Sequence, residues 1–239
     1  MQTSNQKPIM DHIACWEDTL RVSEHMDPPP PSIKVAYCFN SAIKFFDMDA
    51  IECCLKYAPN ALILNLADDL VPGGCVAEGS RAQEEALFRC TNYHMTLTDD
   101  FYPIKDDEVV YSPGVSVIKT SDWTRIETPP KVSFVACPGL KYPRTIGGRL
   151  CETDVSILKM KIRLIIRTAL KFGHDTIIFG ALGCGAWNNP SDHVAEIFKE
   201  VLDQYNGMVP NYYFAILTTL GDDGITRNTI DVFRNIFLY

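Results

Sequence analysis

The chain has 239 residues, 46% of them apolar and 22% charged, with a formal net charge of -8. That length suits one large domain better than two small ones, and no apolar run approaches the roughly 20 residues of a membrane helix. The acidic balance argues against nucleic acid as a partner, because that binding draws on clustered Lys and Arg. The first residues, MQTSNQKPIMDH, contain no apolar leader, so an intracellular protein, cytoplasmic or nuclear, is expected. Nine cysteines are odd in number and scattered, with no C-x-x-C pair, which favours reduced thiols. The five histidines form no motif with them, so no zinc or other metal site is expected.

In chain order, Ile13, Trp16, Leu20 and Val22 recur near helical spacing and predict a helix over 11–24. MDPPPPS, 26–32, is a stiff polyproline connector. Residues 1–32 are therefore read as an N-terminal helix and strap packed on a body formed by 33–239. Short strands are expected at 33–37 and 43–46, and a helix at 49–57 with Asp49 near its start and Lys56 near its end. ALILNL, 61–66, is a continuous apolar run suited to a central strand. Residues 109–111 and 115–119 flank Ser-Pro-Gly as a bent or paired strand, and 132–137 is another buried strand. Lys141, Tyr142, Arg144 and Arg149 follow it as the densest positive charge in the chain. Thr153 is expected to cap a long helix reaching Lys171. Then come a strand at 176–179, a glycine loop, a helix from about 190 to 204, a strand at 212–217 and a last helix through Phe233 and Ile236. Strands alternating with helices indicate an α/β fold with a mostly parallel sheet.

Two glycine loops stand out. In the first, Pro72-Gly73-Gly74 breaks the strand that ends at Asn65 and lets backbone approach a ligand with its amides exposed. Ser80 followed three residues later by Gln83 reads as a capping box opening a helix, whose first turn holds Gln83, Glu84 and Glu85. Taken alone, that acidic turn also satisfies the helix dipole with no chemical role. In the second, Gly183, Cys184, Gly185, Ala186 and Trp187 follow a strand, with Asn189 as N-cap and Pro190 at the first helical position. Strand–loop–helix turns of small residues suit a diphosphate, which an acidic protein can hold by backbone amides and helix N-termini without formal positive charge.

Gly-Gly-Cys, seven residues, then Gln-Glu-Glu resembles the poly(ADP-ribose) glycohydrolase signature of Gly-Gly-Gly, a short spacer, and Gln-Glu-Glu. NLADDLVPGG and GSRAQEEALFRC look most like the shorter, microbial-type members, and GHDTIIFGALGCGAWNNP resembles their second ligand loop. The resemblance implies a three-layer α/β/α macrodomain and an enzyme that removes poly- or mono-ADP-ribose from proteins, working as a monomer without cofactor. Its ligand is ADP-ribose or an ADP-ribosylated protein; a non-catalytic ADP-ribose reader and a hydrolase specific for ADP-ribosyl-arginine are the alternatives.

By the same resemblance, Glu85 does the proton work and Glu84 holds hydroxyls on the leaving side. Gln83 shapes that pocket, and Asn65 contacts a ribose. Asp68, Asp69, Gly73, Gly74, Cys75 and Val76 line the first loop. Gly183, Cys184, Gly185 and Ala186 wrap the diphosphate, and Trp187 stacks near the distal ribose. Glu84 and Glu85 point about 100° apart on a helix, so they cannot flank one bond as glycosidase carboxylate pairs do. Cys184 is assigned packing, not nucleophilic chemistry. Three departures from the family pattern stand out. Cys75 replaces the third glycine and narrows the channel. Asp68 and Asp69 replace small or hydroxyl residues. Gly139-Leu140 stands where an asparagine is usual.

Overall fold

Short apolar strands alternate with amphipathic helices, and the result is a sheet covered on both faces. The computed structural model describes residues 40–220 and 226–238; the expected helix, strap and first strand within 1–37 lie outside the described residues. The elements run β1 Ala42–Phe46, α1 Ala50–Tyr57, β2 Leu62–Asn65, α2 Gln83–Cys90, β3 Val110–Ser116, β4 Lys131–Ala136, β5 Thr145–Ile146, β6 Arg149–Leu150, α3 Glu152–Phe172, β7 Thr176–Phe179, α4 Ser191–Gln204, β8 Asn211–Ala215, β9 Thr219–Leu220, β10 Thr226–Arg227 and α5 Thr229–Leu238. The main sheet has the order β1-β8-β7-β2-β4-β3. Every pairing in it is parallel except β3 on β4.

Alternation along the strands divides the core in two. Leu62, Leu64, Ile177, Phe179, Tyr212 and Phe214 face α3, α4 and α5, meeting Ile162, Phe198 and Phe233. Ile63, Phe134, Ile178 and Tyr213 face the other way, toward Ile51 and Cys54 of α1 and Leu87 and Cys90 of α2. Both faces are covered, so β2 and β7 are buried at every position, as parallel strands usually are. Each large apolar side chain removed from water in this way contributes roughly 1.5–3 kcal/mol. The expected three-layer α/β/α architecture is the one observed.

The helix starts differ from expectation in instructive ways. Asp49 does cap α1, its carboxylate accepting from Ile51 and Glu52 amides at 2.7 and 3.3 Å. The Ser80–Gln83 capping box does not form: α2 is capped at Ala82 with no side-chain bond. Gln83 is drawn instead to the end of β2, its Nε2 donating to the Leu64 carbonyl at 2.7 Å and its Oε1 accepting from Leu66 N at 2.9 Å. Thr153 lies inside α3, whose cap is Cys151, and the cap of α4 is Pro190 and not Asn189. At its other end α3 stops at Gly173, in the left-handed conformation (φ 74°), whose amide closes on the Ala169 and Leu170 carbonyls. Ser-Pro-Gly does not split β3; the strand bends through a register shift between Ser112 and Val115.

Candidate active site

β7, β2 and β4 are adjacent and parallel, so the segments that leave their C-terminal ends emerge side by side. These are the first loop after β2, a middle loop after β4 and the second loop after β7. The first loop folds down on the start of α2. Gly73 (φ 78°) has Phe88 in the space a Cβ would need, at 2.6 Å, and Gly74 (φ 54°) has the Glu85 carboxylate there, at 2.8 Å. Both the backbone conformation and the close approach require glycine. Cys75 has no positive φ and its thiol is exposed, so the backbone accepts a side chain at this position.

The two acids are both buried and differ in their partners. Glu84 Oε1 accepts from Asn65 Nδ2 at 3.1 Å and Gly73 N at 3.2 Å, while its Oε2 accepts from Asp68 N at 2.7 Å. Burial pushes its carboxyl up to about 7, and those three donors hold it from rising further. Glu85 Oε1 accepts from Cys75 N at 3.2 Å, and its Oε2 has no partner although it is buried. Behind Glu84 stand the hydroxyls of Tyr93 and Tyr102, both buried and both pushed up by desolvation. Neither tyrosine was singled out in the sequence, since nothing local distinguishes them from core aromatics.

The Gly73–Val76 stretch of the first loop spends its amides internally. Those of Gly73 and Cys75 bond the two carboxylates, and those of Gly74 and Val76 close turns on Val71 and Gly73. The expectation of exposed amides is corrected for Gly73–Val76, whose N–H groups bond acids or close turns. The second loop is the opposite case. The amides of Cys184, Asn188 and Asn189 close turns on Ala181, Gly185 and Gly183, whereas those of Gly185, Ala186 and Trp187 have no partner among the described residues. Three successive bare N–H groups in a strand–helix turn are an arrangement that can take an anion.

The middle loop joins the other two. Lys141 Nζ lies 3.2 Å from Asp68 Oδ2, contacts Asp69, and sits 5.3 Å from the centroid of the Trp187 ring. One ammonium thus bridges the acids of the first loop to the aromatic of the second. Asp68 also accepts from the Leu70 and Val71 amides at 2.8 and 3.0 Å. A Cβ on Gly139 would stand 2.8 Å from Gly183 Cα, so the position where an asparagine is usual is closed by backbone meeting backbone. Cys184 is pushed up to about 12 by burial, which suits packing and not nucleophilic attack. Asn65 is fully buried with Nδ2 committed to Glu84, so its present contact is with that acid. Among the described residues no cluster of His, Cys, Asp and Glu could hold a metal, and no helix is long and apolar enough to cross a membrane.

Residues 32–120 match the family model of the microbial-type PARG catalytic domain, PARG being poly(ADP-ribose) glycohydrolase. No curated protein matches the chain in sequence. Among solved structures, the poly(ADP-ribose) glycohydrolase of Thermomonospora curvata superposes with a TM-score of 0.74 at 25% identity, covering 92% of this chain and 83% of that one. The same bacterial enzyme bound to the inhibitor ADP-HPD gives 0.73 at 24% identity, over 82% and 78% of the two chains. The Deinococcus radiodurans poly(ADP-ribose) glycohydrolase in complex with ADP-ribose gives 0.70 at 21% identity, over 84% and 85%. The chain is similar to the microbial-type poly(ADP-ribose) glycohydrolases, in sequence over residues 32–120 and in fold over most of its length.

Proposed function

We propose that this protein is an ADP-ribosyl glycohydrolase that acts, as a monomer inside the cell, on poly- or mono-ADP-ribose attached to proteins. The observation that carries the reading is the contrast within the acidic turn. Glu84 has every oxygen taken by an N–H donor, while Glu85 keeps one oxygen, Oε2, unpartnered. A buried carboxyl oxygen without a partner is costly unless a ligand or proton transfer uses it. Only one acid does proton work, because both oxygens of Glu84 are already taken by N–H donors.

The diphosphate lies on the bare amides of Gly185, Ala186 and Trp187, and the ring of Trp187 packs near the distal ribose. Glu85, protonated at Oε2, gives its proton to the leaving oxygen as the bond from the anomeric carbon breaks. The sugar passes through an oxocarbenium-like state. Water then attacks that carbon and loses a proton to Glu85, which restores the acid. Glu84, tied to Asn65, Gly73 and Asp68, holds the first loop in the shape that presents Glu85. Free acids at Asp68 and Asp69 would favour a cationic acceptor such as arginine, the alternative named above. Both are paired with Lys141, so that reading draws no support from them.

Release of free ADP-ribose from a modified protein tests the proposal. Wild type should release it, and Glu85→Gln should lose roughly 10²–10⁴ in rate, the usual contribution of a general acid, while its ADP-ribose affinity stays within about threefold. Tight binding by wild type without release would identify a reader, and full turnover by Glu85→Gln would remove the assignment.

A further inference from the structure

We infer that Asn189 is the positioning residue that gives the second loop its anion-binding shape, an inference that rests on the diphosphate lying on Gly185–Trp187 as proposed above. Read as a sequence, Asn189 is a helix cap; in the structure it caps nothing. Its side chain turns back beneath the loop, and Nδ2 gathers three carbonyls: Leu140 at 2.7 Å, Gly183 at 2.9 Å and Trp187 at 3.3 Å. Its backbone N–H donates to Gly183 as well, at 3.0 Å. Asn189 is 4% exposed, so these bonds form out of competition with water.

The positions of the pegs matter. The three bare N–H groups belong to the peptides joining Cys184 to Gly185, Gly185 to Ala186, and Ala186 to Trp187. Asn189 binds the carbonyls immediately outside that stretch on both sides, at Gly183 and Trp187, and fixes the chord across which the free amides arch. Its third bond, to Leu140, ties the same chord to the middle loop. Gly183 (φ 77°) is matched to this arrangement, since a Cβ there would come within 2.6 Å of Nδ2. The buried Oδ1 is left without a partner, and the three carbonyls around Nδ2 decide which way the amide faces. A flipped amide would press its oxygen against three carbonyl oxygens, which is worse than one bare acceptor.

The test compares Asn189→Asp, which keeps the volume and removes the donor, with Asn189→Ala, using the full-length protein. Binding of ADP-ribose and of inorganic pyrophosphate should weaken at least about tenfold in both variants. KM on an ADP-ribosylated protein should rise in step, with kcat within about threefold of wild type, because Glu85 stands on α2, outside this loop. A role limited to stability would lower the folded fraction and leave the KM of the folded protein unchanged. Asn189→Ser keeps a single hydroxyl donor and should fall between wild type and Asn189→Ala; it also covers the case in which the other two do not fold. Unchanged affinity in any folded variant, or loss of kcat at constant KM, overturns the inference. Wild type that binds ADP-ribose but never releases it from protein would instead sink the glycohydrolase reading and leave this one standing.

Discussion

Glu84 and Glu85 are neighbours in the chain, yet the first loop treats them differently. Glu84 is a buttress: three donors converge on it, and burial still pushes it from its ordinary 4.5 up to about 7. Because its folded value lies above its unfolded one, the stability it contributes is full below about pH 4.5 and is lost as pH rises through 7. The difference corresponds to about 3 kcal/mol. Urea unfolding from pH 4 to 8 should therefore show wild type losing stability relative to Glu84→Gln by about that much, nearly all of it before pH 7.5. Parallel curves for the two proteins would contradict the environment described for Glu84. The Gln-Glu-Glu run itself was legible, because adjacency and helical geometry already say that only one acid can serve the reaction. Which partners saturate Glu84 was not, since Asn65, Asp68 and Gly73 reach it across a loop whose path no local rule specifies.

At the scale of elements, the strands were the easiest features to read. Continuous apolar runs such as ALILNL and TIIF suit a sheet buried on both sides, and β2 and β7 occupy them. The two-residue strands β5, β6, β9 and β10 are too short to carry a pattern. Caps failed where a polar side chain had a better tertiary partner: Gln83 went to β2, and Asn189 to three carbonyls. Gly139 was noted only as a departure, and the structure gives its reason in the contact with Gly183. Gly139→Ala should thus push the middle and second loops apart and weaken ADP-ribose binding about tenfold, in line with overpacking costs of roughly 1–3 kcal/mol. Gly147→Ala is the control. Its site is open, so only the left-handed backbone (φ 57°) is penalised, by about 1 kcal/mol of stability, with affinity unchanged. Equal effects of the two substitutions on binding would remove the proposed role of loop contact.

For the molecule as a whole, the paradox is an acidic chain, net charge -8, read as binding a dianionic diphosphate. Bare amides resolve it, since they attract anions without formal charge and without releasing counterions. Lys141, the cation found between the loops, is already engaged by Asp68 and Asp69. Affinity for ADP-ribose should accordingly stay constant, or rise slightly as salt screens the general repulsion, between about 50 and 300 mM salt. A fall of tenfold or more over that range is what cationic phosphate contacts would give, and it would contradict amide-based binding. Alternating strands and helices announced the α/β class, but the convergence of the site was hidden. It depends on β7, β2 and β4 being neighbours, and strand order is a property of the folded sheet that no single run of residues encodes.

The most direct test of the account is a crystal structure of the Glu85→Gln variant with ADP-ribose bound. Diphosphate oxygens should lie within about 3 Å of the Gly185, Ala186 and Trp187 nitrogens, with the anomeric carbon of the distal ribose turned toward the residue at position 85. A diphosphate seated on Gly73–Val76, or a distal ribose directed away from α2, would contradict it.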